Sequence, residues 1–149
     1  MFTQEHVIAT LKEHFEARND VATVYLFGSY ATGNVRRRSD IDVAVLFFDD
    51  NNKDERFDRR LKLMADLESV FNMKVDVIDL LDASPLLFHQ IMLSRVLVID
   101  NDRDKRIELE VAKRREYFDL KYYLDKYYRN ATISQVCDLE KALRKNIYE

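Results

Sequence analysis

Between residues 4 and 15, Val7, Ile8, Leu11 and Phe15 recur at helical spacing behind Thr3, a residue type suited to capping a helix start. Asn19-Asp20 closes that segment. Val21–Phe27 is rich in β-branched and aromatic residues, the composition of a strand. A short helix or turn is expected over 30–38. Ile41, Val43 and Val45 then alternate with Asp42 and Ala44 on a second strand that continues through Leu46 and Phe47. After a polar loop over 49–53, the spacing predicts a helix over 54–71 that turns Phe57, Leu61, Met64, Leu67 and Val70 toward the core. Residues 74–80 read as a third strand, with Val75 and Val77 on one side and Asp76 and Ile78 on the other. Residues 82–95 hold a helix with Pro85, the only proline, near its first turn. Residues 96–99 form a short fourth strand. A long final helix begins at Asn101-Asp102 and runs to about Tyr128, and 130–149 supply a further short one. Strands interleaved with helices define an α/β (α+β) fold, a small mixed sheet packed against helices, in one domain over 1–149.

The chain's two glycines, Gly28 and Gly33, bracket the turn after the first strand. Glycine is required where backbone approaches a ligand closely or takes positive φ. Ten residues separate Ser29 from Asp40, and Asp42 follows at i+2. On a strand those two carboxylates share a face. A strand running into Gly28-Ser29 offers backbone N–H groups and a hydroxyl to one point, a cradle for phosphate oxygens. The Gly28-x-x-x-x-Gly33 spacing is that of a P-loop, but Asn34-Val35 stands where its Lys and Ser/Thr are required, which argues against a γ-phosphate-handling NTPase.

Asp40 and Asp42 suit Mg²⁺, which takes one or two protein carboxylates and completes its shell with water and substrate phosphate. Asp76 lies mid-strand among apolar neighbours, a costly place for an unpaired carboxylate. If its strand adjoins that of Asp42, three carboxylates surround two metals roughly 3.5–4 Å apart. Asp76 is then the general base toward an attacking hydroxyl. Asp79 faces the other way and is the poorer candidate. One of Arg36, Arg37 and Arg38 is placed to neutralise triphosphate charge, the others forming a solvated turn.

Composition adds exclusions. The 149 residues carry a net charge of −3, so no broad electrostatic case exists for nucleic acid or an anionic membrane. Cys137 is the only cysteine, so an intrachain disulfide is impossible and a reducing compartment fits. No apolar run approaches the roughly 18 residues of a membrane span. The first residues lack the basic-then-apolar signature of a signal peptide. A cytoplasmic protein with no membrane segment is the expectation.

Gly28-Ser29-Tyr30-x-x-Gly33, Ser39-Asp40-Ile41-Asp42 and Val75-Asp76 together resemble the signature of the polymerase-beta-type nucleotidyltransferase superfamily, over roughly residues 20–100. Compactness makes the chain similar to the minimal nucleotidyltransferases, among them the MntA-type antitoxins paired with HEPN ribonuclease toxins. The resemblance implies a palm-like fold and transfer of a nucleotide from an NTP to a hydroxyl, with pyrophosphate leaving. It implies that Gly28, Ser29 and Ser39 bind the nucleotide. Asp40, Asp42 and Asp76 are implied to ligate two Mg²⁺ ions and to be catalytic. For the antitoxin group it implies ATP as donor and a toxin tyrosine as acceptor. A small-molecule acceptor such as an aminoglycoside, or a non-catalytic antitoxin acting by contact alone, is the alternative; a nucleic-acid polymerising enzyme is disfavoured by the acidic balance.

The final helix carries aromatic pairs five residues apart, Tyr117-Phe118, Tyr122-Tyr123 and Tyr127-Tyr128. A five-residue step turns a helix by about 140°, so these rings spread around it rather than filling one stripe. Tyrosine is enriched at interfaces. A partner protein is the expectation, with a homo-oligomer through this helix as the other way to cover it.

Overall fold

The computed structural model describes residues 2–48, 52–130 and 133–148; most of the loop expected over 49–53 lies outside them. Four strands form one mixed sheet in the order β3-β2-β1-β4. They are β1 (Val21–Phe27), β2 (Ile41–Phe47), β3 (Val75–Asp79) and β4 (Val96–Asp100). β1 runs antiparallel to both β2 and β4, while β2 and β3 are parallel. A parallel pair needs a crossover, and α3 (Lys53–Phe71) supplies it.

Both faces of the sheet are covered, which is why its central strands are almost wholly buried. One face packs on α1 (Gln4–Glu16) and α3, with Val7, Leu11 and Phe15 meeting Val24, Leu26, Val43 and Val45. Thr3 caps α1, its hydroxyl accepting from the His6 N–H at 3.2 Å. The other face packs on α4 (Pro85–Ser94), where Ala22, Tyr25, Ala44 and Leu46 meet Leu80, Ala83, Phe88 and Ile91. Ser84 caps α4 and Pro85 follows it, where a missing N–H costs nothing. α5 (Arg103–Asn130) lies along α4, and α6 (Ile133–Tyr148) follows.

The apolar stripe expected on α3 holds at Met64 and Leu67 and is corrected elsewhere by the structure. Phe57, Leu61 and Val70 are exposed, and the buried residues are Leu63, Leu67 and Phe71. Their face continues toward the N-terminus as Arg60 and Arg56, which bind the Val77 carbonyl and the Asp79 carboxylate. Two arginines on the sheet-facing side hid the true stripe, and solvent-facing hydrophobes supplied a false one. Ala44 likewise sits under α4 rather than on an open polar face.

α5 reaches residue 130, close to its expected end. Tyr117 is half-buried and stacks on His89, with ring centroids 3.8 Å apart. Phe118, Tyr122, Tyr123, Tyr127 and Tyr128 stay exposed. Among the described residues, no helix is long and apolar enough to cross a membrane.

Candidate active site

The register of β1 on β2 sets Phe27 opposite Asp42, so the chain leaves β1 at Gly28 directly beside that carboxylate. Gly28 has φ 72° and ψ −152°, a region open essentially to glycine alone. A Cβ there would stand 2.2 Å from Asp42 Oδ2. Conformation and space both demand glycine, and the space is kept for the Asp42 carboxylate. The short α2 (Ser29–Thr32) follows, and Gly33 ends it in the left-handed region at φ 79°. Ala31 and Thr32 donate their N–H groups to the Gly28 carbonyl. The first N–H groups of the turn have no acceptor within it.

The parallel register of β2 on β3 sets Asp42 beside Asp76, so both carboxylates rise from one face on adjacent strands. Asp40 lies just before β2, and its Oδ2 stands 3.6 Å from Lys74 Nζ. Burial pushes the Asp42 carboxyl up to about 6; the negative charges of Asp76 and Asp40 add to the shift, and Lys74 opposes it. Beyond Asp42 the same face closes under α4, so the carboxylates occupy the sheet's open end.

The other candidates fall as follows. Ser29 is half-buried at the start of α2. The Ser39 hydroxyl accepts from the Arg36 N–H at 2.7 Å, closing the turn that delivers Asp40. Arg36, Arg37 and Arg38 are all exposed. Asp79 is buried and pairs with Arg56 at 2.8 Å, a structural role. Lys74 was missed: it pairs with Asp40, and its position immediately before β3 was the available signal.

Among the described residues, no three His, Cys, Asp or Glu side chains form a ready cage for an ion. Mg²⁺ does not ask for one, because it is commonly held by one or two carboxylates together with substrate phosphates. The donors here fit it. Asp42 is a desolvated carboxylate beside a second across the strand register, it has no hydrogen bond from the described residues, and its Oδ2 fills the space that the absent Gly28 Cβ leaves.

A four-stranded mixed sheet with a Gly-Ser bend against paired aspartates is the arrangement of a nucleotidyl-transferring palm. Residues 9–104 match the family described as polymerase beta, nucleotidyltransferase, and the chain belongs to that family. Within it, the chain is 42% identical over 69 residues to the protein adenylyltransferase MntA of Shewanella oneidensis, a stretch covering 46% of this chain and 47% of that protein. The match therefore spans about half the length of that relative. A toxin–antitoxin crystal structure with AMP-PNP superimposes with a TM-score of 0.66 and 26% identity, covering 87% of this chain and 98% of that one. The fold also matches a structure described as tri-AMPylated Shewanella oneidensis HEPN toxin in complex with MNT antitoxin, at a TM-score of 0.59 and 24% identity, over 85% of this chain and 93% of that one.

Proposed function

We propose that this protein transfers AMP from ATP to a tyrosine hydroxyl of a HEPN-type ribonuclease toxin, and that it acts as the antitoxin of that pair in the cytoplasm. The observation that carries the proposal is the meeting of Gly28, Asp42 and Asp76 at one open sheet end. The family supports nucleotidyl transfer. The names of the relatives support a protein acceptor and an adenine nucleotide.

In this reading Ser29 and the N–H groups of the bend hold the terminal phosphates of ATP. Ser39 shapes the turn that presents Asp40. Asp40, Asp42 and Asp76 would hold Mg²⁺, which would supply charge neutralisation at the triphosphate and lower the pKa of the acceptor hydroxyl. Asp76, on the edge strand, faces the acceptor and takes its proton. Lys74 balances the charge at Asp40. The exposed rings of Tyr122 and Tyr123 along α5 meet the toxin. The whole chain, 1–149, works as one domain.

The test uses ATP labelled at its α-phosphate, a co-purified HEPN-type toxin and a panel of aminoglycosides. Label should pass to the toxin with the wild-type protein and stay in ATP with Asp76→Asn. Label on an aminoglycoside alone would overturn the acceptor. Full neutralisation of the toxin in cells by Asp40→Asn plus Asp42→Asn would mean that contact alone suffices.

A further inference from the structure

A cavity of about 230 Å³ lies between α4 and α5, on the side of the sheet that carries the carboxylates. α4 contributes its floor, with Phe88, Met92 and Leu93, and α5 its far wall. The cavity sits at the same end of the sheet as the Gly28 bend. Arg95, which lines it, runs straight into β4, and Val96 there pairs with Leu26, two residues before Gly28. Arg95 reaches the Tyr25 hydroxyl at 3.4 Å, and Phe27, next on that face of β1, stands opposite Asp42.

The lining has two chemical characters. One is aromatic: His89 and Tyr117 stack at an interplanar angle of 5°, and Phe118 beside them is 56% exposed. The other is cationic. Arg95, Lys113 and Arg114 face a single carboxylate, Glu110, which Arg95 and Arg106 already pair. Lys113 is tied to the Ala83 carbonyl and to Glu116, whereas Arg114 is exposed and makes no ion pair or hydrogen bond with the described residues. The cavity is thus locally positive in a chain of net charge −3. Flat rings beside cations are what a nucleotide asks of a protein: a face for the base and a counter-charge for its phosphate. The volume is below the range usual for a whole drug-sized ligand, which matches a base and its ribose with the phosphates left outside.

We propose that this cavity binds an adenine nucleoside, with the ring against Phe118 and the His89–Tyr117 stack and the adjoining phosphate at Arg114. The proposal rests on the carboxylate site being an adenylyl-transfer centre. The adenylyl group has two possible sources, the incoming ATP or an AMP already joined to the acceptor tyrosine. Either way the cavity seats the nucleoside, which the carboxylates and the bend do not do.

Phe118→Ala and Arg114→Ala test it, since both side chains are exposed and their removal should leave the thermal melt unchanged. The full chain and each variant are titrated calorimetrically with ATP, inorganic tripolyphosphate and O-adenylyl-N-acetyltyrosine amide. Loss of the stacked ring should weaken at least one adenine compound about tenfold and leave tripolyphosphate unaffected, whereas loss of the arginine should weaken it about fivefold through the adjoining phosphate. Weakening for ATP assigns the cavity to the donor nucleotide. Weakening for adenylyl-tyrosine alone assigns it to a transferred AMP. Wild-type affinity of both variants for both compounds overturns the proposal. Because binding is measured without turnover, a protein that binds ATP through this cavity yet transfers nothing would refute the function and leave the cavity standing.

Discussion

Asp42→Asn should make the protein more stable while ending its proposed activity. The Asp42 carboxyl rises from an ordinary 3.8 to about 6, chiefly through burial and then through repulsion from Asp76 and Asp40. An acid whose folded pKa lies above its unfolded value holds its proton more tightly when folded, so ionising it costs the native state. That cost is absent below the unfolded pKa, grows as pH rises from about 4, and is complete above about 6. At 1.36 kcal/mol per unit, roughly two units correspond to about 3 kcal/mol. The side chain is partly open to solvent, and screening reduces this to about 1–2 kcal/mol. The carboxylate accepts no hydrogen bond from the described residues, so a neutral amide gives up no such contact there. For a chain of this length the gain is a rise of about 5 °C in Tm. Thermal melts of wild type and variant, in chelator, should differ by that amount at about pH 7.5 and converge near pH 4. A variant no more stable than wild type at the higher pH would refute the reasoning, because the carboxylates would then not be crowded.

Four further outcomes follow from the structure. Gly28→Ala should be severe, costing about 3 kcal/mol or more with loss of transfer, because its φ and the 2.2 Å approach to Asp42 Oδ2 both exclude a Cβ. Gly33→Ala, with nothing within 4 Å, should cost only about 1–2 kcal/mol for its left-handed φ and retain activity; denaturant titration and label transfer separate the two. Mg²⁺ should raise the melting temperature at about pH 7.5 and lose apparent affinity about tenfold per unit below about pH 6, as a proton competes for Asp42. Glu110→Ala strips the shared partner from Arg95, Arg106 and the Tyr25 hydroxyl and should destabilise by about 2–3 kcal/mol in urea, loosening α5 from the sheet.

The strands were legible because their β-branched runs are dense and bounded by turn residues, and the bend because only two glycines exist to mark it. The pairing of Asp42 with Asp76 was legible only conditionally. Each carboxylate could be assigned a face from its own strand, but adjacency depends on the β2–α3–β3 crossover, which no local pattern specifies. α3 misled for a related reason. Arg56 faces inward because Asp79 waits there, 23 residues away, and a moment taken along one helix cannot contain its partner. Lys74 and the α4–α5 cavity are likewise products of tertiary adjacency. The surplus of aromatic residues on α5 was visible, but not that Tyr117 would leave the exposed set to stack on His89.

The proposed activity is adenylylation of a partner protein at this sheet end. Intact-mass spectrometry of a HEPN-type toxin, co-expressed with the wild-type protein or with Asp42→Asn, tests it most directly. Mass increments of AMP should appear on the toxin with wild type, mapped by fragmentation to a tyrosine, and none with the variant. A toxin of unaltered mass beside the wild-type protein, while its ribonuclease activity is nonetheless suppressed, would contradict it.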